Sequence, residues 1–116
     1  MKTIIISHES DVDGVFSAAI ALMRFPQAKT LFTSYGKENF SRISDILYDE
    51  IISTQLPGQI IISDLGLNDD MIDLFKDIFN FLKSNLWSII WVDHHPWSEN
   101  AIKSAIEEGS VHLVLD

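Results

Sequence analysis

Three of the four histidines in this 116-residue chain stand beside aspartates. His8, Asp11 and Asp13 lie near the start, and Asp93, His94 and His95 lie late in the chain. Asp64 falls between them, and all three groups come at the end of apolar runs rich in isoleucine. Histidine and carboxylate together make a shell suited to Mn²⁺, Fe²⁺, Co²⁺ or Zn²⁺. Carboxylates gathered in one place repel one another, and burying them without a countercharge is costly. Ser7–Gly14, Ile61–Gly66 and Val92–Pro96 contain no Lys or Arg to neutralise them. Divalent metal would do so directly. A carboxylate shared between two ions holds them about 3.5–4 Å apart, a geometry that activates water and clamps a phosphoryl group. Asp64 is the natural bridge in such an arrangement.

Each residue also has a plain structural reading. Asp11 or Asp13 could cap a helix ahead of Gly14. Asp64, before Leu65-Gly66, could be a turn residue, and Asp93 could orient a histidine or cap the turn at Pro96. The fourth histidine, His112, falls inside an apolar run and is assigned to packing or surface. The metal reading rests on the three groups meeting, which depends on the elements that carry them.

Those elements alternate. Thr3–Ser7 reads as a buried strand. Asp13 to Arg24 follows as a helix with Val15, Ala18, Ala19 and Leu22 on one face, ended by Pro26. Lys29–Tyr35 is a second strand, and Asn39 to Ser53 is a helix with Phe40, Ile43, Ile46, Leu47 and Ile51 as its apolar stripe. After the break at Pro57-Gly58, Gln59–Asp64 reads as a strand buried on both faces, as parallel strands usually are. Asn68 is expected to cap a helix running to about Lys83, built on Ile72, Phe75 and Phe79. Trp87–Asp93 is a fourth strand, Ser98 to Glu108 a short helix ending at Gly109, and Val111–Leu115 a last strand. This order predicts an α/β fold of three layers, α/β/α, around a mainly parallel five-stranded sheet. In such sheets ligands bind outside the carboxyl ends of the strands, where all three polar groups fall.

Composition bounds the function. The length suits one domain, and 47% hydrophobic with 22% charged residues is a globular balance. Without cysteine there is no disulfide framework and no thiolate zinc site, which fits a reducing compartment. A net charge of −9 argues against a module that coats long nucleic acid, whose affinity comes from Lys and Arg. It leaves room for a small phosphate ester held through metal ions. The start lacks the features of a secretory signal, and Val15 to Met23 is too short to span a bilayer, so the chain reads as soluble and cytoplasmic.

SHESDVDG at Ser7–Gly14, IISDLG at Ile61–Gly66 and VDHHP at Val92–Pro96 resemble, in order, the first three motifs of the DHH phosphoesterase superfamily. That group includes RecJ-like exonucleases, nano-RNases, cyclic-dinucleotide phosphodiesterases and family II pyrophosphatases. The resemblance covers residues 3 to about 96. It implies a parallel-sheet catalytic domain with two metal ions, usually Mn²⁺ with Mg²⁺ or Co²⁺ as substitutes, and a separate C-terminal domain that closes over substrate. Carried over by motif, His8 and Asp11 would hold one ion, Asp13 and His94 the other, and Asp64 would bridge them. His95 would sit by the scissile phosphate, and Asp93 would orient the histidines.

The chain departs from the pattern in two ways. Two residues separate His8 from Asp11 where several family members have three, and the family's further downstream Asp is not matched, Asp116 being too early. The chain therefore reads as the N-terminal part of a longer phosphoesterase, expected to bind metal and to be inactive by itself. The implied reaction is hydrolysis of a phosphodiester in a nucleotide or short oligonucleotide. The alternatives are pyrophosphatase action, RecJ-like cleavage of single-stranded DNA, and a non-catalytic interaction module of the same fold. Of the tryptophans, only Trp97 is placed to face a base.

Overall fold

Runs of isoleucine with flanking polar residues become strands, and stretches of helical periodicity become the connections between them. The computed structural model describes residues 2–9, 12–34, 36–107 and 111–115. In chain order the elements are β1 (Lys2–His8), α1 (Val12–Arg24), β2 (Lys29–Thr33), α2 (Lys37–Thr54) and β3 (Gly58–Ser63). A single 3₁₀ turn, Asp69–Met71, then leads into α3 (Ile72–Ser84), β4 (Trp87–Asp93), α4 (Glu99–Glu107) and β5 (Val111–Leu115). The five strands form one all-parallel sheet in the order β2-β1-β3-β4-β5, as the alternating pattern predicts.

Crossovers between parallel strands are right-handed, so the direction of each step decides which face its helix covers. The step from β1 to β2 runs one way, and the later steps run the other. Helix α1 accordingly packs on β1 and β3 from one side, while α2, α3 and α4 lie side by side across the other. The larger core is on that second side. Ile4, Ile6, Ile60, Ile62, Ile89 and Trp91 of the sheet meet Phe40, Ile43 and Leu47 of α2, Phe75 and Phe79 of α3, and Ala101 and Ala105 of α4. Phe75 is its hub, with ring centroids 5.1 Å from Phe40 and 5.0 Å from Trp91. Both buried strand tryptophans have their indole N–H satisfied: Trp91 donates to the Leu65 carbonyl at 2.7 Å and Trp87 to that of Leu56 at 3.0 Å. The Trp87 ring lies so close over Gly58 that any side chain at that position would press into it.

At the opposite end of the sheet from the polar groups, Lys2 of β1 and Lys29 of β2 both pair with Glu50 of α2. The two ammonium groups hold the Glu50 carboxyl below its ordinary 4.5, against the opposing effect of its partial burial.

Several expectations shift in detail. Val15 was placed on the inward face of α1, yet it is exposed, as is Ala19, whereas Ala18 is buried. A lone helix on its face of the sheet buries only a narrow stripe. Asn68 makes no side-chain cap, because the helix is entered through the 3₁₀ turn, with the Met71 amide donating to the Asn68 carbonyl. Ser98 does act as a cap, its Oγ accepting from the Ala101 amide at 3.0 Å and donating to Asp69. Tyr35, at the end of the expected second strand, lies outside the described residues, as do Glu108 and Gly109. No helix among the described residues is long and apolar enough to cross a membrane.

Candidate metal centre

Parallel register aligns the carboxyl ends of the central strands. Ser7 of β1 stands opposite Ser63 of β3, and Ser63 opposite Val92 of β4, so the residues that follow emerge together. Those residues are His8, Asp64 and Asp93. Asp64 leaves β3 with its amide still donating to the Val92 carbonyl at 3.1 Å, and its backbone takes a left-handed turn at φ 58°. Asp is among the few non-glycine residues that adopt this conformation readily. The turn tucks the carboxylate inward, and Asp64 is only 4% exposed.

Asp93 is equally buried, at 3% exposure, and both of its oxygens are engaged. Oδ1 lies 2.6 Å from His95 Nδ1, and Oδ2 accepts from Trp97 Nε1 at 2.8 Å. A carboxylate oxygen accepts here, so the proton of this bond is on Nδ1 of His95. His94 lies over His95 with ring centroids 4.4 Å apart, and its Nδ1 is 3.4 Å from Asp64 Oδ1. Asp64, Asp93, His94 and His95 each offer a ligand atom, and these atoms all lie within 4.8 Å of one another.

This donor set fits a divalent metal. Two carboxylates buried side by side call for positive charge, and imidazole nitrogens stand within reach of both. Ligand atoms about 2.1 Å from an ion sit roughly 3–4 Å from each other, close to the spacing here. A histidine whose second nitrogen donates to a carboxylate, as His95 does to Asp93, is the usual arrangement around bound metal.

The remaining expected ligands are placed differently. Asp13 is in the first turn of α1 and lines a cleft of about 290 Å³ together with Ser63, Asp64, Asp93 and His94. His8 ends β1 and is buried, but it is not one of the four convergent residues. Asp11 and Asp116 lie outside the described residues. His112 is exposed on β5, and Lys37 is exposed at the start of α2.

Gly14 sets the distance between α1 and β1. A Cβ there would collide with the backbone carbonyl oxygen of His8, and the Ser7 hydroxyl fixes the approach by donating to the Gly14 carbonyl at 2.7 Å. Backbone cannot rotate away as a flexible side chain can. We expect Gly14→Ala to cost about 1–3 kcal/mol by denaturant unfolding and to weaken metal binding by moving Asp13 away from Asp64. Unchanged stability and metal affinity would show that the contact relaxes without moving the helix.

Two site residues escaped the sequence reading. The indole N–H of Trp97 is held by Asp93, and its ring meets Trp91 edge-on at 4.9 Å, a supporting role the sequence reading did not give it. Its position four residues beyond Asp93 was the available signal. Phe16, taken as neither core nor site, is on the wall of the cleft, with Ser17 and Val92.

Comparison of the chain with protein-family models, with curated proteins and with solved structures found no match in any of the three.

Proposed function

We propose that this chain is a metal-dependent phosphoesterase domain of the DHH type, acting on a phosphodiester in a nucleotide or short oligonucleotide. The observation that carries the reading is the convergence of Asp64, Asp93, His94 and His95 at the carboxyl ends of adjacent parallel strands, with both carboxylates buried. The order of the three motifs along the chain supports it. Asp64 and His94 would hold a divalent ion, Mn²⁺ being our first choice, with Asp13 reaching it from across the cleft. When bound, such an ion supplies charge that polarises a phosphoryl group and acidifies a water.

The protein's own groups do the rest. Asp93 accepts from Nδ1 of His95 and so fixes the orientation of that ring beside His94. Protonated on both nitrogens, His95 would give its Nε2 proton to the leaving oxygen. Trp97 fixes Asp93 in turn, and the buried position of Asp93 keeps water from competing for these bonds.

The test pairs binding with turnover. Inorganic phosphate should bind by calorimetry only with Mn²⁺ present, and a 5′-phosphorylated dinucleotide should release mononucleotide in a reaction that EDTA stops. Preferential cleavage of pyrophosphate would move the activity to phosphoanhydrides. If neither phosphate binding nor turnover depends on Mn²⁺, the reading is wrong.

A further inference from the structure

The cleft beside the four convergent residues has two kinds of wall. Asp13, Ser63, Asp64, Asp93 and His94 line it together with Phe16, Ser17 and Val92. Phe16 is 66% exposed and Val92 is 41% exposed. Side chains alternate along a strand, so Asp93 turns towards the core shared with Trp91 while Val92 faces the side of the sheet that carries α1. An aromatic ring and a branched aliphatic group thus stand in solvent at the mouth of an otherwise acidic site. Apolar walls with a few convergent polar groups are the common make-up of small-molecule sites, and about 290 Å³ is at the small end of their range. That space is of the order a single nucleotide unit needs.

Resting on the reading of the metal centre above, we propose that Phe16 is the platform on which the base of a bound nucleotide stacks, with Val92 as the apolar floor beside it. With a phosphate drawn to a metal ion at Asp64 and His94, Phe16 and Val92 are the apolar lining that remains for the nucleoside. Ser17 lines the same cleft and carries a hydroxyl that could meet the sugar. Every base has a π-face, so a platform of this kind selects for a nucleotide over a base-free phosphate without choosing among bases. It favours a nucleotide substrate over pyrophosphate at the same metal centre.

Ile20 and Met23 continue the exposed apolar surface of α1 and provide the control, since neither lines the cleft. Binding of AMP and of ribose 5-phosphate is measured by calorimetry in saturating Mn²⁺, on the full chain and on Phe16→Ala, Phe16→Tyr and Met23→Ser. Stacking on an aromatic side chain is worth about 1–3 kcal/mol per base, or about 5- to 150-fold in affinity. The wild-type chain should therefore bind AMP that much more tightly than ribose 5-phosphate. Phe16→Ala should erase the difference without changing ribose 5-phosphate binding, Phe16→Tyr should retain it, and Met23→Ser should leave both ligands unaffected.

Equal affinity of the wild-type chain for the two ligands would overturn the inference and leave the metal centre standing. So would an equal loss for both ligands in Phe16→Ala, or a loss of AMP binding in Met23→Ser, which would make the whole apolar surface responsible. Binding of Mn²⁺ with neither phosphate ligand also overturns it. Absence of Mn²⁺ binding is a different failure, that of the metal centre itself, and takes the inference with it.

Discussion

Replacing Asp64 by Asn is expected to weaken Mn²⁺ binding by at least about 100-fold and, in metal-free buffer, to raise the melting temperature. The two effects have one cause. Asp64 is buried next to a second buried carboxylate, so the folded chain carries an electrostatic cost that a bound cation relieves. Asn has nearly the same shape, tolerates the left-handed backbone at this position and carries no charge. Removing the cost should add about 1 kcal/mol, which for a domain of this size is roughly 4 °C. Metal should reverse the order: Mn²⁺ stabilises the wild-type chain by mass action and leaves the variant unmoved. Thermal unfolding with and without Mn²⁺ provides the readout. A variant less stable than wild type in metal-free buffer would mean that Asp64 serves the turn after β3 rather than a ligand.

Asp93→Asn should be nearly as damaging to the chemistry, by a different route. The carboxylate accepts one N–H from His95 and another from Trp97, and an amide can accept at only one of its two positions. Either the indole or the imidazole then faces an NH₂ group. If His95 yields, the proton of the neutral ring moves to Nε2, and the carboxylate that steadies the doubly protonated ring is lost. Loss of a correctly protonated acid–base group costs typically 10²–10⁴-fold in turnover. Nitrogen NMR of the His95 ring should report the change of tautomer even where turnover is too low to follow. Trp97→Phe removes one of the two bonds and leaves the tautomer alone, so its effect should be much smaller. Equal effects of the two substitutions would place the role of Asp93 in packing.

The sheet was legible because each strand is announced by its own chemistry. IIIS at Ile60–Ser63 is apolar on both faces, a pattern that only a central parallel strand satisfies, and β3 is the middle strand. Trp87 and Trp91 share the odd-numbered face of β4, and both are buried. The sequence could also place His8, Asp64 and Asp93 at one edge, since parallel register does that for any strand ends. It could not say which of them converge. Asp64 turns inward through a backbone angle that its side chain merely permits, and His94 and His95 are brought together by a ring stack that no periodicity encodes. The bond from Trp97 to Asp93 was not legible because an aromatic beside a polar motif has several uses, and only the position of Asp93 reveals this one. The exposure of Val15 and Phe16 depends on how much sheet a single helix can cover, which follows from strand order and not from the helix's own residues.

Crystals grown with Mn²⁺ and examined by anomalous scattering at the manganese edge would place the ion directly. A peak within bonding distance of Asp64 and His94, absent from crystals of Asp64→Asn, is the expected result, and a second peak towards Asp13 would show a two-ion site. No peak among these side chains in crystals soaked at millimolar Mn²⁺ would reduce the cluster to a buried hydrogen-bonding network, and the phosphoesterase reading would fall with it.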